Sequence, residues 1–154
     1  MIRVLFVCHG NICRSAAAEM ILRQMAEKEH VDILVDSAAT TAEEIGNDLY
    51  PPMKKAMQRR NMRCDPHRAK KTKSEDYNSF DRIVAMDFEN LDDLMALYGG
   101  DPCGKISLLM NWTGQKDREV SDPWYTRRFD ACLDDLEAGC ESLLQDIKKE
   151  VSGL

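Results

Sequence analysis

The chain has 154 residues, 44% of them hydrophobic and 31% charged, and a formal net charge of −6. These values describe one globular domain able to bury about two-thirds of its unfolded surface, and the acidic balance argues against a general nucleic-acid partner. No apolar run reaches membrane-spanning length and Met1 leads into a charged strand rather than a secretory leader, so a single domain over residues 1–154, cytoplasmic and without a membrane partner, is expected.

Ile2, Val4, Leu5, Phe6 and Val7 read as a buried strand, and Ala16 to Glu29 is rich in the good helix formers Ala, Met, Leu, Gln and Glu. The eight residues between, Cys8-His9-Gly10-Asn11-Ile12-Cys13-Arg14-Ser15, therefore form a strand-to-helix loop. Val31 to Ser37 gives a second strand, with Ile33, Leu34 and Val35 as its apolar run, and residues 38–47 read as a loop. Tyr50-Pro51-Pro52 opens a helix to about Asn61, with proline at its tolerated first turn, before a break at Asp65-Pro66. Ser74-Glu75-Asp76 reads as a capped helical turn and Arg82 to Met86 as a third strand. Asp87 is placed to cap a helix that ends by Gly99-Gly100. Lys105 to Leu109 is a fourth strand and Asn111 to Asp122 a polar loop. Phe129, Cys132, Leu133, Leu136, Cys140, Leu143, Leu144, Ile147 and Val151 recur at three and four, the stripe of one long amphipathic helix. Strands alternating with helices predict an α/β fold with a doubly wound parallel sheet, helices on both faces and the ligand at the carboxyl ends of the strands. Residues 8–15 leave the first strand at that end.

The loop has a definite chemistry. Its backbone N–H groups can form an anion nest at the positive end of the following helix, a natural seat for a phosphate dianion. Arg14 adds a planar, permanently charged fork that grips two phosphate oxygens. A cation at a helix N-terminus is otherwise disfavoured, so its position itself points to an anion. Cys8 is the good nucleophile of the loop, and the field that attracts phosphate also favours thiolate over thiol. His9, Gly10, Asn11, Ile12, Cys13 and Ser15 complete the substrate-binding loop, with Gly10 and Asn11 supplying conformational freedom.

If Cys8 attacks a phosphate ester, the departing oxygen needs a proton. Asp122-Pro123-Trp124-Tyr125 offers a carboxyl fixed in a loop by proline, followed by two aromatics suited to flank a ring-bearing substrate. A phosphate dianion beside the carboxyl helps keep it protonated.

The other five cysteines are irregularly spaced and no secretory signal precedes them, so reduced thiols are expected. Cys132 and Cys140 stand about 12 Å apart along a helix, beyond disulfide reach, and with Cys64 read as small core hydrophobes. Cys13 shares the tight loop with Cys8 and is placed to capture an oxidised Cys8 as a reversible disulfide. Residues 54–73 carry nine lysines and arginines against Asp65 alone, either a solvated basic face or a device that steers anionic substrates to the loop.

These segments together resemble the low-molecular-weight protein tyrosine phosphatases. The resemblance is carried by residues 8–15, by Asp36-Ser37-Ala38-Ala39-Thr40, by Met86-Asp87 with Asn90-Leu91, and by Asp122-Pro123-Trp124-Tyr125, and spans essentially the whole chain. It implies a four-stranded parallel twisted sheet flanked by helices, no cofactor and no metal, and hydrolysis of phosphotyrosine in proteins or of small aryl phosphates, with inorganic phosphate as product. It assigns a cysteinyl-phosphate to Cys8, the phosphoryl oxygens to Arg14, and acid and then base catalysis to Asp122. Ser15 matches the hydroxyl that bonds the thiolate, Asn11 the residue that keeps the loop curled, and His67 the histidine that supports it. Ala16 replaces the proline common after the Arg-Ser pair, and Glu43 and Glu44 lie where many members place a specificity-setting residue. Two acids at the rim would disfavour acidic phosphopeptides. A thioredoxin-coupled arsenate reductase would use a related loop, but needs a close pair of relay cysteines after the third strand, where only Cys103 lies. A zinc site from Cys8, Cys13, Cys64 and His67 lacks the short spacing of a zinc knuckle and leaves Arg14 beside a cation. A catalytically silent phosphate-binding module would not need the nucleophile and acid.

Overall fold

The computed structural model describes residues 1–153. Its sheet holds four parallel strands in the order β2-β1-β3-β4, where β1 is Ile2–Cys8, β2 Ile33–Ala39, β3 Arg82–Ala85 and β4 Ile106–Leu108. The helices are α1 (Arg14–Glu29), α2 (Pro51–Arg59), α3 (Asp76–Ser79), α4 (Phe88–Tyr98), α5 (Pro123–Thr126) and α6 (Phe129–Ser152), with a 3₁₀ turn at Leu109–Thr113.

Alternation along β1 divides the core. Val4, Phe6 and Cys8 face one layer, with α1, α2 and α6 packed over it through Met20, Leu22, Met53, Leu133, Leu136 and Leu143. Leu5 and Val7 face the other, closed by Tyr77, Phe80, Leu94 and Leu108. Successive side chains of a strand point to opposite faces, so a strand buried on both reads as an unbroken apolar run, as β1 does. The predicted architecture is the observed one. Where α6 crosses the 3₁₀ turn the approach is so close that a Cβ on Gly139 would lie 2.5 Å from Leu109 Cγ.

Three expectations shift. The second strand runs from Ile33 to Ala39 rather than Val31 to Ser37, because its register follows β1 pair by pair as far as Cys8 opposite Ala39. The small residues Ala38 and Ala39, read as loop, are ladder residues. The fourth strand is trimmed to Ile106–Leu108, and Leu109 already turns into the 3₁₀ segment. The stretch read as polar loop starts inside that turn, and Asp122 caps α5, a helix too short to show a period in sequence. The basic run is paired in part, and at Lys70 its backbone reaches Asn11 of the loop. Arg60 pairs with Asp130, Asp134 and Glu137, Arg63 with Glu27 and with its near neighbour Asp65, and Lys70 with Asp36; all but Asp65 are brought near by folding. Among the described residues no helix is long and apolar enough to cross a membrane.

Candidate active site

The chain leaves β1 at Cys8 and re-enters regular structure at Arg14, and the loop between is curled by a left-handed Asn11 with φ of 59°. An asparagine tolerates that conformation better than most residues. Its fully buried side chain then fixes the curl. Nδ2 donates to Ser15 Oγ and to Ser37 Oγ, each at 2.9 Å, while Oδ1 accepts from the Lys70 amide at 3.1 Å. His67 Nε2 donates to the Asn11 carbonyl at 2.6 Å. The Tyr50 amide at the start of α2 holds the Ile12 carbonyl at 2.7 Å. Among the described residues the amides of residues 10–13 donate to no protein partner.

Ser15 Oγ lies 3.0 Å from Cys8 Sγ, and the Ser15 amide donates to the same sulfur at 3.5 Å. With Asn11 donating to the Ser15 oxygen, the hydroxyl proton can go to the sulfur at 3.0 Å or to the Ala38 carbonyl at 3.5 Å, and the sulfur is the nearer. The chain of bonds continues behind Asn11, where Ser37 Oγ donates to Glu19 Oε1 at 2.5 Å and Glu19 is paired with Arg23. Burial of a polar group is costly unless it is bonded, and here each member of the row is satisfied.

Arg14 is 2% exposed, so its charge must be matched. Nη1 donates to Asp87 Oδ2 at 2.7 Å and to the Val120 carbonyl at 2.8 Å, and Nη2 reaches Asp122 Oδ2 at 3.4 Å. Burial alone would loosen its proton, but Cys8, Asp122 and Asp87 more than offset this and hold the guanidinium charged. Asp87 does two things, since its other oxygen caps α4 in a reciprocal box with Asn90. The Val120 amide donates to the Met86 carbonyl at 2.8 Å, which ties the segment bearing Asp122 to the end of β3. Asp122 Oδ1 accepts from the Trp124 amide at 3.0 Å, and Trp124 lies against Tyr50 with ring centroids 4.8 Å apart.

The result is a cavity of about 140 Å³ lined by residues 8–14, Glu43, Glu44, Asp122, Trp124 and Tyr125. Every site residue expected from sequence is on its wall except Ser15, which stands behind the sulfur. Cys8 is 3% exposed, while Trp124 and Tyr125 are 46% and 80% exposed at the rim. Cys13 is buried and its thiol is pushed well above the ordinary range by burial, with Cys132 and Cys8 adding to the effect. Among the described residues no three His, Cys, Asp or Glu side chains stand together in a way that could hold a metal ion.

This chain and its fold have known relatives. Residues 3–153 match the family described as low molecular weight phosphotyrosine protein phosphatase. The chain belongs to that family. It is 37% identical over 153 residues to YfkJ, a low molecular weight protein-tyrosine-phosphatase of Bacillus subtilis, across 97% of this chain and 98% of that protein. The crystal structure of YfkJ is similar with a TM-score of 0.93, covering 97% of this chain and 96% of the other. A protein tyrosine phosphatase of Entamoeba histolytica, crystallised with Hepes in the active site, has a TM-score of 0.88 at 33% identity over the whole of both chains. PtpA of Staphylococcus aureus is 31% identical over 99% of this chain and 97% of its own length.

For this member of the family, sequence reasoning missed Glu19, Ser37 as a bonding partner, the Val120 carbonyl and Tyr50. Glu19 carried a signal, as the only acid in the first three turns of a largely apolar helix segment.

Proposed function

We propose that the protein hydrolyses phosphotyrosine in proteins, and small aryl phosphates, by way of a cysteinyl-phosphate. The observation that carries this reading is that Cys8 Sγ, bonded to Ser15, shares one small cavity with Arg14 and Asp122. The cavity suits a phosphoryl group at its floor and an aromatic ring between its walls.

In the first step the Cys8 thiolate forms a bond to phosphorus as the bond to the phenolic oxygen breaks. The Ser15 hydroxyl and amide favour the ionised sulfur by donating to it. The unpaired amides of residues 10–13 and Arg14 take the phosphoryl oxygens, fixed in advance by Asn11, His67 and Asp87, so little reorganisation is needed as charge develops. Asp122 gives its proton to the leaving phenolate. In the second step Asp122 accepts a proton from water, the water oxygen bonds to phosphorus, and the sulfur leaves as thiolate with inorganic phosphate as product.

The test is a series of aryl phosphates of rising phenol pKa. Asp122→Ala should lower kcat by about 10²–10⁴-fold for the poorest leaving groups and far less for p-nitrophenyl phosphate. An equal loss across the series would overturn the acid assignment.

A further inference from the structure

The charges around the mouth are arranged differently from those on the helical flank. On the flank, carboxylates meet guanidinium groups, as Arg60 and Arg82 show with partners on α6. At the mouth, Glu43, Glu44 and Glu89 have no lysine or arginine in ion-pair distance among the described residues. Glu43 and Glu89 share one imidazole, with His9 Nε2 2.9 Å from Glu43 and Nδ1 3.5 Å from Glu89. Glu44 accepts from Asn47 at 2.6 Å, a neutral partner.

The three acids come from two elements, the segment after β2 and the start of α4, and both meet the loop directly after the nucleophile. Gly10 makes this possible on one side, since a Cβ there would sit 3.3 Å from Glu44 Cγ. His9 makes it possible on the other by holding Glu43 and Glu89 together. Glu43 and Glu89 side chains remain 65% and 71% exposed, so their charge reaches whatever approaches the cavity. An incoming dianion is attracted by Arg14 at the floor, yet must pass three carboxylates that, among the described residues, pair with no cationic side chain but His9. Cations placed beside the phosphotyrosine turn that repulsion into attraction, and acids there add to it.

We infer that Glu43, Glu44 and Glu89, gathered by His9, set substrate preference at the mouth and select phosphotyrosine flanked by lysine or arginine over phosphotyrosine flanked by acids. The inference rests on the phosphotyrosine reading above and names the substrate class within it.

The experiment compares two phosphotyrosine peptides of equal length that differ only in carrying lysine or glutamate on both sides of the tyrosine, with p-nitrophenyl phosphate alongside. At low ionic strength kcat/KM should favour the lysine peptide by about tenfold or more, and the ratio should shrink as salt screens the collar. In Glu43→Gln/Glu44→Gln/Glu89→Gln the ratio should fall to within about twofold, and Glu43→Lys alone should move it toward the glutamate peptide. Equal rates for the two peptides in the unmodified protein, with p-nitrophenyl phosphate still hydrolysed, would overturn this inference and leave the phosphatase reading standing. Hydrolysis of none of the three would overturn both.

Discussion

Cys8 and Cys140 are equally closed to solvent, at 3% and 0% exposure, and differ in company. Cys140 lies between α6 and α1, where its thiol reaches only the Ala18 carbonyl at 3.7 Å, and burial among Leu136, Leu143 and Leu144 pushes its proton affinity far above the ordinary thiol range. Cys132 on the same helix is raised to about 12, again chiefly by burial. Cys8 ends a strand of the same core, but faces a hydroxyl, an amide and the first turn of a helix. Burial by itself silences a thiol, whereas the polar row from Glu19 to Ser15 gives one buried sulfur hydrogen-bonding partners, as the proposed role of Cys8 requires.

Breaking the reactive end should remove chemistry and spare the fold. Cys8→Ser should abolish hydrolysis of p-nitrophenyl phosphate, because a serine hydroxyl in the same place lacks an ionised nucleophile, while the melting transition stays cooperative. Residual turnover near that of the unmodified protein would show that another group attacks. Breaking the apolar layer should do the reverse. Leu136→Ala empties fully buried space under α6 and should cost about 2–5 kcal/mol in denaturant unfolding, with kcat of the folded fraction little changed.

The rim sharpens the comparison with a smaller effect. Burial alone would lower the His9 pKa, but the hydrogen bond and charge of Glu43, followed by those of Glu89, raise it above the usual value. A histidine raised in the folded state stabilises most below its unfolded value of about 6.5, and that contribution is lost as pH rises through the folded value. The melting-temperature difference between the unmodified protein and His9→Gln should therefore be largest on the acid side of that range and shrink above it. A difference independent of pH would show that the Glu43 and Glu89 pairs contribute nothing to stability.

The loop of residues 8–15 was legible in sequence because its residues are contiguous between a strand and a helix. Asp122 was legible through the proline and aromatics beside it. The long helix α6 was legible because twenty-four residues give the period room to repeat. What sequence did not show depends on chain ends brought together by the fold. Arg14 meets Asp87 and Val120 across separations of 73 and 106 residues, and nothing local to any of the three announces it. Asp87 was read as a helix cap, which it is, and the second oxygen on Arg14 could not be inferred from capping. Several partners of the basic run were hidden for the same reason, since Glu27 on α1 and Asp130, Asp134 and Glu137 on α6 lie far from it in sequence. The ends of β2 were misplaced because Ala38 and Ala39 gain their strand conformation from pairing with β1, not from their own preference.

In the proposed reaction Cys8 becomes covalently phosphorylated. Mixing the protein with an aryl phosphate, quenching in acid within the first turnover and mapping the phosphoryl group by mass spectrometry tests it most directly. One phosphoryl group is expected, carried on the Cys8 sulfur and absent from Cys8→Ser. Phenol release in the first turnover with no phosphoryl group on Cys8 would contradict it.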